Sequence, residues 1–374
     1  MICPSIPELD LGEWGAALHA KIAGVRYPLL GTIELTERCN YRCVHCYINQ
    51  PPVDRAVKSR EMETDQAKHI IDQLVDAGTL FLTLTGGDPF VRKDFPEIYR
   101  HAVQRGMLVD LFTNGYRITP QIADLLAEWR PQAIEVSLYG ATKATYEKVT
   151  QIPGSFERSR KGIQLLLDRD LPVYFKTTLL TINRHELDQM RNFSAFLDVP
   201  YRYDGLIWPR LNGDESAFNF QLSPQELVNL DLAEPERMEE RARLASLSNG
   251  QRVRAEYVYS CGAALQSFHI DSAGFLMGCM MSRKPSYNLM EMDFSTAWEK
   301  LGEIRKMKRQ LHTKCEHCIL GGLCAQCPGW SKIIHGDDET PVEFLCTLAH
   351  LRAAQLTHLV NINEEIKIYE EETV

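Results

Sequence analysis

The sequence predicts an α/β fold: a partial (β/α)6 barrel followed by a small cysteine-rich domain. Three observations carry that prediction. Six strand-like runs, each followed by a helical stretch, recur at short and regular spacing between residues 29 and 215. Such alternation builds a parallel sheet with crossover helices. The unusual residues of this half fall just after strands, where barrels of the TIM type carry their chemistry. Finally, apart from Cys3, the cysteines collect in two blocks, Cys39 to Cys46 and Cys261 to Cys346, with more than two hundred cysteine-free residues between them.

The elements follow in order. Residues 1–28 form an N-terminal helical segment, with apolar residues at roughly helical spacing over 10–24. The first strand, 29–36, runs directly into the first cysteine block. Residues 64–77 read as a helix with Thr64 as N-cap and Gly78 as its stop. Strand 80–85 precedes Gly86-Gly87-Asp88-Pro89, and strand 108–112 precedes Thr113-Asn114-Gly115. Strands 133–138, 173–179 and 201–207 complete the set, with helices at 94–105, 120–129, 155–169 and 184–197 between them. The barrel thus spans 29–215. A polar, Glu-rich helical bridge covers 216–258, the cysteine-rich domain 259–350, and a C-terminal helix 351–374.

Composition narrows the function. A net charge of −9 argues against a protein that tracks nucleic-acid phosphates. No apolar run is long enough to span a bilayer, and Met1-Ile2-Cys3-Pro4 lacks the basic-then-apolar order of a secretion signal. A cytoplasmic location and no membrane partner are therefore expected. In that reducing compartment eleven cysteines read as metal ligands rather than disulfides.

Cys39-x3-Cys43-x2-Cys46 is a three-thiolate set on a loop leaving a strand. Three ligands on a cube of four irons leave one iron open, and an open coordination position lets a small molecule bind the metal. Packing cysteines, or a zinc site closed by a distant fourth ligand, would show the same spacing. The block, however, resembles the C-x3-C-x-Φ-C signature of the radical SAM superfamily, with His45 at the position usually held by an aromatic. Gly86-Gly87-Asp88-Pro89 is similar to that family's Gly-Gly-Glu-Pro turn.

The resemblance implies a catalytic 4Fe-4S cluster on Cys39, Cys43 and Cys46, with S-adenosylmethionine chelating its open iron and cleaved to a 5′-deoxyadenosyl radical. It implies that Gly86, Gly87, Asp88 and Pro89 meet the methionine ammonium. Ser137 and Lys176 would touch the ribose or carboxylate, and Tyr47 would border the adenine. As a tetrapeptide alone, 86–89 is an ordinary tight turn, and Ser137 and Lys176 read equally well as polar lining of a barrel mouth. No residue is singled out as a catalytic base; His269 and Asp271 are weighed for that role and read as strand and turn residues.

The second block reads Cys261-x12-Gly274-x4-Cys279, Cys315-x2-Cys318-x5-Cys324-x2-Cys327, then Cys346. Spacing alone leaves zinc and iron–sulfur both open. The arrangement resembles the SPASM domain of radical SAM enzymes, departing from it by one residue in the Cys324–Cys327 interval. By that resemblance Cys315, Cys318, Cys324 and Cys346 hold one auxiliary 4Fe-4S cluster. Cys261, Cys279 and Cys327 hold another, which lacks a fourth cysteine and so would keep an open iron.

The expected function is an anaerobic peptide maturase. Its radical abstracts hydrogen from a ribosomally made precursor peptide, giving a cross-link or an oxidised side chain, while the auxiliary clusters handle electrons. Because thirty-eight residues precede Cys39, a separate small leader-binding protein is expected as a partner, besides a flavodoxin or ferredoxin as external reductant. The same chemistry on a small molecule, a tetrapyrrole side chain or an amino sugar, is one alternative. A non-catalytic zinc-binding scaffold is the other.

Overall fold

A computed structural model describes residues 11–48, 50–247 and 256–356. Parts of the expected N-terminal segment (1–10), bridge (248–255) and C-terminal helix (357–374) lie outside the described residues. Among those described, one sheet has nine strands in the order β6-β5-β4-β3-β2-β1-β7-β8-β9. The first six are β1 (Leu30–Thr36), β2 (Phe81–Gly86), β3 (Leu108–Thr113), β4 (Ala133–Ser137), β5 (Val173–Thr178) and β6 (Tyr201–Asp204). Neighbours among them pair in parallel. The predicted strands are thus found at the predicted places, and the α/β partial barrel stands.

Alternation along these strands explains both faces. Ile33, Leu35, Leu82, Leu84, Val109, Leu111, Ile134, Val136, Val173 and Phe175 are buried, and they share the face covered by the crossover helices. Each such side chain contributes roughly 1.5–3 kcal/mol relative to exposure. The alternate positions carry Thr32, Glu34, Thr83, Asp110, Phe112, Glu135, Ser137 and Lys176. Side-chain period two puts these on the opposite, concave face. The outer face is thus apolar and the inner one mostly polar.

The sheet does not stop with the barrel. β7 (Ser267–Ile270) pairs in parallel with β1, setting His269 opposite Thr32. β8 (Phe275–Met277) and β9 (Tyr287–Asn288) then add on antiparallel. Asp271 makes the β7–β8 turn, its Oδ1 accepting from the N–H groups of Ala273 and Phe275 at 3.0 Å each. Gly274 closes that turn at φ +84, so Cys279 follows directly off β8. The candidate base Asp271 is therefore a turn residue.

Two helical details differ from expectation. The helix Thr64–Asp76 starts one residue earlier in its capping: Glu63 is the N-cap, and its N–H donates to Gln66 Oε1 at 2.8 Å. Thr64 instead donates its hydroxyl to Asp94 Oδ2 at 2.7 Å. A helix at Lys143–Thr150, which the periodicity did not show, intervenes before Ser155–Leu167. No helix among the described residues is long and apolar enough to cross a membrane.

Candidate functional site

The loop after β1 carries Cys39, Cys43 and Cys46, and backbone hydrogen bonds hold it on opposite sides. The N–H of Cys39 donates to Gln50 O at 2.8 Å. Those of Arg42 and Val44 donate to Thr150 O (3.0 Å) and Val149 O (3.1 Å). The last carbonyls of a helix lack partners within it, so the helix Lys143–Thr150 ends by gripping the cysteine loop. Arg210 Nη2 completes the hold on Val44 O at 3.1 Å.

All three thiols lie close together at the C-terminal ends of the strands. Burial raises the pKa of the Cys43 thiol well above its ordinary value, and the nearby Cys39 and Cys46 raise it further. Cys39 is raised likewise, by burial first and then by Asp88. Thiols so placed stay protonated unless a metal draws off the protons. The donor set therefore suits a cationic cluster of soft metal. Among the described residues no three His, Cys, Asp or Glu side chains converge on a place for a single metal ion.

His45, the departure from an aromatic, behaves as one. Its ring meets that of Tyr139 edge-on at 5.0 Å. Burial, helped by Arg210, pushes its pKa down to about 4, so the ring is neutral at pH 7.

The Gly86-Gly87-Asp88-Pro89 turn lies against the strand end that enters the triad. Gly87 N–H donates to Thr36 O at 2.7 Å and Asp88 N–H to Arg38 O at 3.1 Å. A Cβ on Gly87 would stand 2.4 Å from Arg38 O. One on Gly86, at φ +136, would stand 2.1 Å from Thr36 O. Both glycines are needed because two backbones touch. The Asp88 carboxylate, however, is buried and already used. Oδ1 accepts from Phe90 N–H (3.1 Å), and Oδ2 accepts from the Thr113 hydroxyl (2.8 Å) and the Asn114 N–H (3.0 Å). It ties this turn to the Thr113-Asn114-Gly115 turn.

Ser137 and Lys176 face each other across β4 and β5. Lys176 Nζ is 3.2 Å from Glu135 Oε2 and 3.0 Å from the centre of the Phe112 ring. Burial pushes its pKa down to about 7, against the pull of Glu135. Tyr47 donates its hydroxyl to Glu34 Oε1 at 2.7 Å.

Glu34 is a residue the sequence did not single out. It is fully buried on β1, with Arg283 Nη2 at 2.8 and 2.9 Å and His269 Nε2 at 3.4 Å. Burial works against its charge, but His269, Arg283 and Tyr47 outweigh it and hold the carboxyl at about 2. Arg283 lies four residues beyond Cys279, so this ion pair fastens the second cysteine block to the barrel. His269, the other candidate base, packs here as a partner of Glu34. A cavity of about 360 Å³ opens beside this junction, lined by Asn212, Arg283, Lys284, Gly329, Lys332 and Asp338 among others.

The later cysteines fall into two neighbourhoods. Burial pushes Cys324 up to about 11, with Cys318, Cys315 and Cys346 adding like charge. Burial likewise pushes Cys327 to about 11, with Cys279 and Cys261 contributing. Buried Tyr259, missed in the sequence, stands beside the second set and bonds the Ser282 hydroxyl at 2.7 Å. Trp208, at the end of the barrel, packs on Trp330 with ring centres 5.2 Å apart. Trp330 belongs to the helix Pro328–His335 that follows Cys327.

Comparisons with known proteins agree with this architecture. Residues 33–194 match the family model described as Radical SAM superfamily. The AdoMet-dependent heme synthase of Methanosarcina barkeri is 27% identical over 339 residues, which cover 84% of this chain and 95% of that protein. The mycofactocin maturase MftC of Mycolicibacterium smegmatis is 33% identical over 172 residues. That match covers 46% of this chain and 42% of the maturase, less than half its length. Streptococcus suis SuiB, solved bound to precursor peptide SuiA, superposes with a TM-score of 0.64 at 16% identity, over 88% of this chain and 80% of that one. At that identity the likeness is one of fold.

Proposed function

We propose that this chain, whose residues 33–194 match the radical SAM superfamily model, is a peptide maturase with a catalytic cluster on Cys39, Cys43 and Cys46 and two auxiliary clusters. The observation that carries the cluster assignment is the thiol triad on the loop after β1, Cys39 and Cys43 buried and Cys46 half-buried, with the Gly86-Gly87 turn packed against its entry. When bound, the cluster and S-adenosylmethionine together supply a 5′-deoxyadenosyl radical that removes a hydrogen atom from the substrate.

The chain's own residues do the positioning. The carbonyls of residues 149 and 150 fix the cysteine loop, and Gly86 and Gly87 let the 86–89 turn pack on the backbone of Thr36 and Arg38 at the loop's entry, where it would meet the cofactor's amino-acid end. Ser137 and Lys176 offer a hydroxyl and an ammonium to its carboxylate or ribose from the concave face. Glu34, itself held by Arg283, orients Tyr47 at the edge of the loop. The SPASM-like grouping of Cys315, Cys318, Cys324 and Cys346, and of Cys261, Cys279 and Cys327, provides the auxiliary sites. The second set keeps an open position unless a non-cysteine ligand fills it. A cytoplasmic setting, a one-electron donor protein such as flavodoxin or ferredoxin, and a small leader-binding protein complete this reading.

MftC is named a maturase, and SuiB was solved with its precursor peptide; both support the peptide. A second reading, a tetrapyrrole substrate, is favoured by the heme synthase that matches along almost its whole length. The test is anaerobic reconstitution followed by assay. About twelve irons per chain are expected for three cubane clusters, with methionine and 5′-deoxyadenosine formed on reduction. Deuterium carried from a labelled precursor peptide into 5′-deoxyadenosine supports the first reading; transfer only from a labelled tetrapyrrole overturns it.

A further inference from the structure

The turn after β3 reaches the first cysteine. Asn114 is 6% exposed, and every polar atom of its backbone and side chain is engaged. Its N–H donates to Asp88 Oδ2 at 3.0 Å, and its carbonyl accepts from the Ser159 hydroxyl at 2.9 Å. The side-chain amide has only one orientation here. Tyr116 N–H lies 2.9 Å from one of its ends, and a backbone N–H can only donate, so that end is Oδ1. The NH2 group must therefore face the other way. It points at Cys39 Sγ, 3.6 Å from Nδ2, and at Asn40 Oδ1, 3.3 Å away. The longer distance is ordinary for a sulfur acceptor, whose radius exceeds that of oxygen.

Asp88 is the anchor of this arrangement. One carboxylate oxygen takes both the Thr113 hydroxyl and the Asn114 N–H, while the other caps the 3-10 turn Pro89–Val91 through Phe90 N–H. The turn that packs on the triad's entry is thus the same unit that aims an amide at a triad sulfur.

We propose that Asn114, held by Asp88, is a positioning residue that tunes the reduction potential of the cluster on Cys39, Cys43 and Cys46 through an N–H···S hydrogen bond to Cys39. This rests on the cluster assignment made above. Adding an electron to the cluster raises the negative charge on its sulfurs, so a donor aimed at one of them favours the reduced state. Cluster reduction is a one-electron step, with the electron coming from an external donor protein or, in the tube, from dithionite. Removing the donor makes the cluster harder to reduce.

The experiment is an EPR-monitored redox titration of the anaerobically reconstituted full chain. The triad cluster is recognised as the signal that changes when S-adenosylmethionine is added. In Asn114→Leu the reduced-to-oxidised ratio of that cluster at fixed potential falls about tenfold, a shift of about 59 mV to more negative values for a one-electron couple. Asn114→Asp, which keeps the acceptor for Tyr116 but loses the donor, shifts the same way. Unchanged potentials in variants that keep their iron overturn the proposal. Should both variants lose iron, pulsed EPR of the reduced wild type decides. An exchangeable amide proton, split by 15N in labelled protein, must couple to the triad cluster, and its absence overturns the proposal equally. Failure of the cluster assignment looks different: Cys43→Ala would then keep the cofactor-responsive signal.

Discussion

Arg283 Nη2 stands 2.8 and 2.9 Å from the two carboxylate oxygens of Glu34, across 249 residues of sequence. Glu34 is fully buried, and Arg283 lies just past Cys279, so the pair joins the barrel's first strand to the cysteine-rich block. Breaking one side of a buried pair leaves the other charge without a partner. Arg283→Met is expected to cost about 3 kcal/mol of stability, read as a lower urea midpoint. Glu34→Gln is expected to cost less.

The same site makes an acid-sensitive contribution. The Glu34 carboxyl is held at about 2, below its usual 4.5, despite its burial. A carboxyl with a lowered folded-state pKa stabilises the fold fully above its unfolded value and loses that contribution as pH falls through the folded one. Stability due to Glu34 is therefore complete above 4.5 and is lost towards about 2. Denaturation curves across that window should be steeper in pH for the wild type than for Glu34→Gln; equal slopes would contradict the assignment.

Gly87→Ala tests the turn. Its Cβ would stand 2.4 Å from Arg38 O and 2.5 Å from Arg38 C, both backbone atoms that have little room to yield. Affinity for S-adenosylmethionine is expected to fall at least about tenfold, or about 1.4 kcal/mol, with iron content kept. Equilibrium dialysis against labelled cofactor measures this.

Lys176 gives a pH signature. Its pKa is pushed down to about 7 by burial on the concave face, so its ammonium is lost as pH rises through that value. If the ammonium holds the cofactor's carboxylate, affinity weakens above about pH 7 in the wild type. In Lys176→Arg it should stay flat, since guanidinium keeps its charge. A wild-type curve as flat as the Arg variant's removes Lys176 from the cofactor site.

Much of this was legible in the sequence because it was local. A strand that ends in three spaced cysteines, or in two glycines before Asp88-Pro89, announces its place by period and turn chemistry alone. What escaped was set by distance. The helix Lys143–Thr150 is eight residues long and mixes threonine, lysine and valine, too short for a clear period, yet its last carbonyls hold the cysteine loop. β7 is four residues, Ser267–Ile270, and only its pairing with β1 reveals that the second block is seated on the barrel's own sheet. The direction of the Asp88 carboxylate, towards Thr113 and Asn114, also depends on a partner strand that no tetrapeptide encodes.

The seat of the reaction is tested most directly by iron content and cofactor cleavage in two cysteine variants, assayed side by side after anaerobic reconstitution. Cys43→Ala should lose about four irons per chain and form no 5′-deoxyadenosine under dithionite. Cys318→Ala, from the block around Cys324 and Cys346, should also lose iron but still cleave S-adenosylmethionine. Cleavage that survives in Cys43→Ala would contradict the assignment of Cys39, Cys43 and Cys46 as the cofactor-cleaving site.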